Sequence, residues 1–305
     1  MPSGEDASEL PAPAVNGEVR RFVLTVTCPD RIGIVAAVSG FIADHGGWVL
    51  EAAQHGDLST GRFFLRIEVM AESLAFGPDG FAERFAPLAA EFKMDWRLTD
   101  TDRPKRVVLL VSREDHCLAD LLYRWESRDL PCEIPCVISN HESLAPMVER
   151  AGVVFHHVPV PGSEDPTGRA AAFTEVARIF DDVAGDVMVL ARYMQILPPE
   201  LCRRYPGRIL NIHHSFLPSF AGARPYHQAF ERGVKLIGAT CHYVTAELDE
   251  GPIIEQDTRR IDHTETPEDL MRIGRDIERT VLARGLRWHL EDRVLVNGVR
   301  TVVFA

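Results

Sequence analysis

The chain has 305 residues, 46% of them hydrophobic, with 33 basic against 45 acidic residues and a formal net charge of −12. This length and apolar content are enough for two folded domains with separate cores. The acidic balance argues against a nucleic-acid partner, which needs a basic surface, and no apolar run approaches the ~20 residues of a membrane span.

Two further features of the composition bear on compartment and metal content. Residues 1–19 are acidic and rich in proline and alanine, which is typical of a disordered tail rather than a signal peptide. The six cysteines form no CxxC pair and show no metal-ligand spacing with histidine. We therefore expect reduced thiols, a cytoplasmic protein and no metal site.

Residues 20–100 carry a pattern of strands and helices in the order βαββαβ. The predicted strands are 21–27, 48–53, 62–70 and 94–98, and the predicted helices are 34–43 and 81–92. This order is that of a ferredoxin-like unit. A polar segment at 101–105 contains a proline and is expected to be a linker.

Residues 106–305 alternate between strand and helix patterns. The predicted strands are 106–111, 133–139, 153–157, 187–191, 208–212 and 236–243, and the predicted helices are 117–126, 142–150, 167–183, 226–231 and 266–291. Such alternation predicts a doubly wound, mostly parallel α/β sheet with helices on both faces. Asn297-Gly298 predicts a closing hairpin.

Polar side chains follow the end of a buried strand in this second domain. Asn211 and His213 lie near the exit of the strand predicted at 208–212, and Asp249 lies in the acidic loop 245–251. Side chains alternate along a strand, so the first two share a side, and open α/β sheets bind ligands beyond the carboxyl ends of their strands. The sequence therefore predicts an amide and an imidazole aimed at one substrate atom, with a carboxylate beside them.

The run from Asn211 to Asp257 resembles the folate-dependent formyltransferase family, whose members carry an Asn-x-His pair and a later Asp-x-Gly loop. The stretches NIHHSFLP, GARPYHQA and LDEGPI are more similar to the hydrolases of that group, the deformylases, than to the transferases, where proline commonly follows the histidine. The similarity covers residues 20–305. It implies hydrolysis of 10-formyltetrahydrofolate to tetrahydrofolate and formate, which balances the folate pool and supplies formate for purine biosynthesis.

The resemblance also implies roles for individual residues. Asn211 and protonated His213 would donate hydrogen bonds to a tetrahedral oxyanion, and Asp249 would orient the imidazole and help to manage the protons of the attacking water. The folate pocket would use the segments 191–197 and 245–249. Its candidate residues are Arg192, Met194, Ile196, Leu197, Thr245 and Glu247. No cofactor beyond the folate substrate is expected.

Three other histidines of this region are open between structural and functional roles. His214 follows His213 directly, and an ideal strand would direct it to the opposite side. His227 lies at the start of a predicted helix. His242 lies in or at the end of the strand predicted at 236–243.

The loop after the predicted strand 106–111 indicates which molecule accepts the formyl group. Transferases acting on glycinamide ribonucleotide have a glycine- and serine-rich turn there, whose backbone amides bind a phosphate. This chain has no glycine in the loop and places Arg113, Glu114 and Asp115 there, which favours water as the acceptor. Two alternatives remain: a formyltransferase for another amine, such as a sugar nucleotide, and a catalytically inactive folate-binding regulator.

The first domain resembles the ACT family of small-molecule sensing modules through the stretch CPDRIGIVAAVSGFIADHGGWV. In that family the turn before the first helix often contributes to an amino-acid effector site at a subunit interface. The matching residues are Asp30, Arg31, Ile32 and Gly33. The resemblance implies a homo-oligomer, with a tetramer preferred, and glycine or methionine as effector candidates. The alternative is an oligomerisation module that binds no ligand.

Overall fold

The computed structural model describes residues 19–217 and 225–305, with the backbone alone for 225–227. The chain forms two compact units that divide between Arg103 and Pro104. Residues 1–18, which make up nearly all of the predicted tail, lie outside the described part. Within the described residues, no helix is long and apolar enough to cross a membrane.

The first unit has the element order expected from its pattern. Its elements are β1 (Arg21–Pro29), α1 (Ile34–Asp44), β2 (Val49–Asp57), β3 (Arg62–Met70), a 3₁₀ turn (Ala71–Ser73), α2 (Pro78–Phe92) and β4 (Asp95–Asp100). The strands form an antiparallel sheet in the order β2-β3-β1-β4, which is the ferredoxin-like arrangement. The second helix begins three residues before its predicted start and continues through Pro87.

The core of the first unit lies between the two helices and one face of the sheet. Alternate residues of β1 and residues spaced by four in α1 supply much of it, as the periods of strands and helices require. These residues are Phe22, Leu24, Val26, Cys28, Ile34, Val38 and Ile42. Phe81 and Phe85 of α2 pack beside Trp96 of β4.

The second unit is a mixed α/β sheet with helices on both faces. Its strands are β5 (Lys105–Val111), β6 (Cys132–Ser139), β7 (Val154–His157), β8 (Val187–Leu190), β9 (Ile209–His213), β10 (Leu236–Tyr243), β11 (Ile253–Arg260), β12 (Val294–Asn297) and β13 (Arg300–Val303). Its helices are α3 (His116–Glu126), α4 (Ala145–Arg150), α5 (Pro166–Asp182), α6 (Pro199–Arg204), α7 (Pro225–Glu231) and α8 (Pro267–Leu290).

The main sheet of this unit runs β11-β10-β9-β8-β5-β6-β7. Strands β5 to β9 pair in parallel, whereas β10 is antiparallel to both of its neighbours. Helices cover both faces, so a central strand must be apolar on both sides. In β5, accordingly, Val107, Leu109 and Val111 enter one core while Val108 and Leu110 enter the other.

The expected mixed α/β fold with a parallel-rich sheet is confirmed, and two elements go beyond the sequence prediction. Helix α6 has only six residues, and β11 reads IIEQDTRR, whose second half is polar because it is the edge of the sheet. Helix α8 packs closely on β10 at Gly285, where an added Cβ would lie 2.7 Å from the Cys241 Sγ. The predicted hairpin is present as β12 and β13.

Candidate active site

Asn211 and His242 face each other across the antiparallel pair β9 and β10. The Asn211 Nδ2 donates to the His242 Nε2 at 3.1 Å, and the His242 Nδ1 donates to the Tyr243 carbonyl at 2.9 Å. His242 is 2% exposed, and burial lowers the pKa of its ring, so the ring is neutral and its Nε2 is an acceptor. The histidine therefore fixes the orientation of the Asn211 amide, whose Nδ2 carries a second N–H.

His213 and Asp249 form the second part of the site. The His213 Nδ1 lies 3.3 Å from the Asp249 Oδ1, and the His242 Nε2 lies 3.8 Å from the same oxygen. The hydrogen bond from His213 lowers the pKa of Asp249, so this group is a carboxylate at neutral pH. The three residues that the sequence predicts to be catalytic thus lie together at the carboxyl end of β9.

Local backbone features hold Asp249 at this position. It has a positive φ of 56° in the loop between β10 and β11. Two residues later, an added Cβ at Gly251 would lie 1.7 Å from the Tyr243 carbonyl oxygen, so only glycine allows the loop to approach the strand this closely. The pairing of β10 with β11 also shifts register between Cys241 and His242, and such bulges redirect side chains near active sites.

His214 lies beside His213 rather than on the opposite side of the strand. The two rings stack with centroids 5.0 Å apart and an interplanar angle of 22°. The expectation from strand alternation was wrong because β9 ends at His213 and a bend begins at the next residue. Burial, and then the charge of Arg192, lower the pKa of His214 to about 4.

The segment 191–197 contains most of the predicted folate residues. Met194 and Ile196 are 56% and 64% exposed, while Leu197 lies in the hydrophobic core below them. The Met194 backbone N–H donates to the Ser112 Oγ at 3.0 Å, and that hydroxyl donates to the Asn140 Oδ1 at 2.7 Å. The ends of β5 and β6 therefore anchor the segment and leave two apolar side chains at the surface.

The remaining predicted folate residues lie in the acidic loop. Thr245 donates from its Oγ1 to the Glu247 carbonyl at 3.0 Å, and the Glu247 side chain is exposed. This hydrogen bond shapes the loop two residues before Asp249. The side chain of His227 lies outside the described residues.

Sequence reasoning missed a buried charged cluster next to the site. Glu278 of α8 is 1% exposed; its Oε2 lies 2.8 Å from the His116 Nε2 and 3.4 Å from the Arg192 Nε. Arg192 has a positive φ of 65°, and its side chain points to this carboxylate. The signal was available, because Glu278 stands at a core position of an amphipathic helix between Ile277 and Val281.

The same cluster contains donor atoms of the kind that bind metals. Single ligand atoms of His116, Cys117 and Glu278 all lie within 4.8 Å of one another. Burial raises the pKa of the Cys117 thiol well above its ordinary value, and the thiolate is the form that binds a metal. The Glu278 carboxylate is already hydrogen-bonded to His116 and paired with the Arg192 guanidinium, so the arrangement fits a polar network better than a metal site.

The turn predicted to bind an effector lies at the surface of the first unit. Gly33 has a φ of 98° and precedes α1, and Ile32 is fully exposed. The Arg31 guanidinium lies 3.3 Å from the Glu91 carboxylate and stacks on Phe92, 3.7 Å from its ring centroid. The Asp30 backbone N–H donates to the Gly61 carbonyl at 2.8 Å. The turn is thus held between α2 and the loop that joins β2 to β3.

The sequence and fold of this chain are similar to those of known proteins. A family model described as formyl transferase matches residues 105–286. The formyltetrahydrofolate deformylase of Corynebacterium sp. is 47% identical over 93% of this chain and 98% of that protein, and the deformylase of Bacillus subtilis is 49% identical over 92% and 93%. The crystal structure of a formyltetrahydrofolate deformylase from Pseudomonas syringae covers 95% of this chain and 96% of that one, with 59% identity and a TM-score of 0.92. The chain therefore belongs to the formyltetrahydrofolate deformylase family.

Proposed function

We propose that this chain hydrolyses 10-formyltetrahydrofolate to tetrahydrofolate and formate. The observation that carries the proposal is the meeting of Asn211, His213 and Asp249 at one strand end, in a chain of the deformylase family. Attack on the formyl carbon creates a tetrahedral oxyanion, which needs donors aimed at the developing charge. The second N–H of the Asn211 Nδ2 and the His213 Nε2–H are those donors, each worth about 3–4 kcal/mol in the transition state.

Asp249 has a different task. Its carboxylate accepts from the His213 Nδ1, which leaves the Nε2 of that ring to face the substrate. Asp249 therefore orients the ring.

Water is the proposed acceptor. The loop after β5, from Ser112 to Asp115, has no glycine and presents side chains instead of bare amides. The Arg113 Nε lies 3.3 Å from the His141 Nε2, and the Ser112 hydroxyl is engaged with Asn140. A phosphate-bearing amine would need close backbone approach at this edge, whereas water needs no such docking surface.

The folate is proposed to bind along the segments 191–197 and 245–249, with no further cofactor. Met194 and Ile196 supply exposed apolar surface for a flat heterocycle. Arg192 and Leu197 would contribute main-chain groups, because their side chains are turned to Glu278 and to the core. Thr245 and Glu247 border the pocket from the acidic loop.

The test is formate release from 10-formyltetrahydrofolate by the purified full chain without any amine. We expect stoichiometric formate and tetrahydrofolate. Faster formyl transfer to an added amine, such as glycinamide ribonucleotide or an amino sugar nucleotide, would identify a transferase instead. Tight folate binding with no formate and no transfer would identify an inactive regulator. Isotope-labelled formyl carbon recovered as free formate, and then in purines, would test the proposed supply of formate to purine biosynthesis in the cytoplasm.

For the first unit we propose an ACT-type regulatory and oligomerisation role. The edge strand β2 and the residue before it expose Trp48, Val49 and Leu50 at 39–42%, an apolar edge that a second copy of the chain would cover. A homotetramer is the preferred assembly, with glycine or methionine binding near the turn at 30–33. Analytical ultracentrifugation would test the assembly. Calorimetry with both amino acids would test the effector, and the absence of heat would contradict it.

A further inference from the structure

The backbone of the segment that is proposed to bind the folate is held at its centre by a single hydroxyl. The Met194 backbone N–H donates to the Ser112 Oγ at 3.0 Å. Among the described residues, this is the one hydrogen bond to protein that a backbone N–H between 192 and 197 donates. The protein does not use the other backbone N–H groups of this stretch, and a flat heterocycle with polar edge atoms is a ligand that can pair with them.

Two apolar side chains of the segment are held away from the core. Met194 and Ile196 are 56% and 64% exposed, whereas Tyr193 and Leu197 between and beside them are buried. Because burial of apolar surface is favourable, the segment would gain free energy if the chain turned Met194 and Ile196 inward. The hydrogen bond to Ser112 opposes this rotation, since turning the Met194 backbone would take its N–H away from the hydroxyl.

Ser112 is itself fixed in position. It follows β5 directly and is 3% exposed, and its hydroxyl donates to the Asn140 Oδ1 at 2.7 Å. Asn140 follows β6 and the 191–197 segment follows β8, and both of these strands pair with β5. One buried hydroxyl therefore joins the ends of three adjacent parallel strands, at the edge where open α/β sheets bind their ligands.

We propose that Ser112 is a positioning residue that sets the affinity for the folate heterocycle. This inference rests on the proposed function, in which the segment 191–197 binds that heterocycle. The hydroxyl holds Met194 and Ile196 in their bound arrangement before the ligand arrives, so that binding does not have to order them. Substrate and transition state carry the same heterocycle, and the effect of Ser112 therefore falls on binding rather than on the chemical step.

The experiment measures the Kd of Ser112→Ala for tetrahydrofolate by calorimetry, together with its KM and kcat for 10-formyltetrahydrofolate. Alanine leaves the Met194 N–H without its acceptor, and such a loss corresponds to about 5- to 150-fold in an equilibrium constant. We expect Kd and KM to rise by this factor, with kcat within about threefold of the parent. A pterin that lacks the aminobenzoylglutamate portion should lose affinity by the same factor, because the segment is proposed to contact the heterocycle alone.

Ser139→Ala is the matched control, since it removes a second buried hydroxyl one strand away. The Ser139 Oγ accepts from the His141 backbone N–H at 3.1 Å and lies 3.5 Å from the Ser112 carbonyl oxygen. Within the described part of the chain, it makes no hydrogen bond to the 191–197 segment. This variant should keep the parental Kd for tetrahydrofolate even where urea unfolding shows a loss of stability.

Ser112→Thr retains the hydroxyl, and its Kd should lie closer to that of the parent than to that of Ser112→Ala. A parental Kd in folded Ser112→Ala, with the whole cost in the free energy of unfolding, would overturn the proposal. A fall in kcat at unchanged KM, or no better binding by Ser112→Thr than by Ser112→Ala, would also overturn it. Absence of formate release by the parent would instead contradict the proposed hydrolysis, and the Kd for tetrahydrofolate would still test Ser112.

Discussion

Two histidine–carboxylate pairs of the second unit use the same chemistry in different surroundings. His213 and Asp249 are 3.3 Å apart, with side chains 16% and 30% exposed. His116 and Glu278 are 2.8 Å apart, with side chains 9% and 1% exposed. His213 and Asp249, the pair that is proposed to act on substrate, are farther apart and more exposed, and we call them the open pair. His116 and Glu278 are closer together and buried, and we call them the sealed pair.

The comparison shows how burial changes the role of a histidine–carboxylate pair. A buried ion pair is expensive to form and expensive to break, so it holds neighbouring elements in place. An open pair is weaker but can exchange protons and contact a ligand. Arg192 connects the two, because it contacts Glu278 and lowers the pKa of His214 beside the open pair. We expect mutations in the open pair to change activity and mutations in the sealed pair to change stability.

The largest expected effect on activity comes from Asp249→Asn. The variant keeps the shape of the side chain but loses the charge that orients His213, so kcat should fall by about 10²- to 10⁴-fold. Steady-state formate release measures this loss, and urea unfolding should show little change. Glu250→Gln removes a charge from the next residue, which is exposed, and serves as the matched control. Parent-like activity in Asp249→Asn would remove the open pair from the mechanism.

Glu278→Gln should have the largest effect on stability. It leaves Arg192 without its buried counter-charge, and breaking such a pair costs about 3–5 kcal/mol in the free energy of unfolding. Urea unfolding gives this quantity. Glu126→Gln, the same change at an exposed helical position, should stay within about 0.5 kcal/mol of the parent. A decrease of less than 1 kcal/mol in the free energy of unfolding of Glu278→Gln would mean that the buried carboxylate does not stabilise the fold.

The sequence predicted the open pair far better than the sealed one. Asn211, His213 and Asp249 follow strand ends and carry a family pattern, so their proximity could be inferred from topology. Strand alternation failed at His214, because the end of a strand cannot be located to one residue from its pattern.

The sealed pair depends on contacts that a linear pattern does not contain. His116 and Glu278 are 162 residues apart, and α3 and α8 meet only because both cover the same face of the sheet. The edge strand β11 escaped prediction for a related reason, since its polar half resembles a loop. The sequence shows that Glu278 is a glutamate at a core position of a helix, but it does not show which residue pairs with it.

His242→Phe should have an intermediate effect. The substitution keeps an aromatic ring in the buried space but removes the acceptor that orients the Asn211 amide at 3.1 Å. An unpaired buried donor costs about 1–3 kcal/mol, so kcat should fall by about 5- to 150-fold with a smaller change in KM. His55→Phe alters a histidine of the first unit and should leave kcat unchanged. An equal rise in KM would indicate a role in folate binding instead.

Acid should destabilise the fold through His214. The folded pKa of about 4 lies below the unfolded value of about 6.5, so the unfolded chain binds a proton first as the pH falls. Stability attributable to this group is intact above pH ~6.5 and is lost progressively down to about pH 4. His214→Gln should therefore make the slope of unfolding free energy shallower by about 1.4 kcal/mol per pH unit between roughly pH 6 and 4.5. If the free energy of unfolding of parent and variant changed equally with pH, the His214 ring would have the same pKa in the folded and unfolded states.

The smallest predicted effect concerns the start of α8, the helix that carries Glu278. Thr266 caps this helix: its Oγ1 accepts from the Asp269 backbone N–H at 3.2 Å, and the Asp269 side chain accepts in return from the Thr266 backbone N–H at 3.1 Å. Thr266→Ala should lower the free energy of unfolding by about 1 kcal/mol. Thr280→Ala, the same change at an exposed position inside the helix, should raise it by about 0.5 kcal/mol, because alanine is the better helix former. Both variants should release formate at the parental rate. A loss of activity in Thr266→Ala would mean that the geometry of His213 and Asp249 depends on the start of α8.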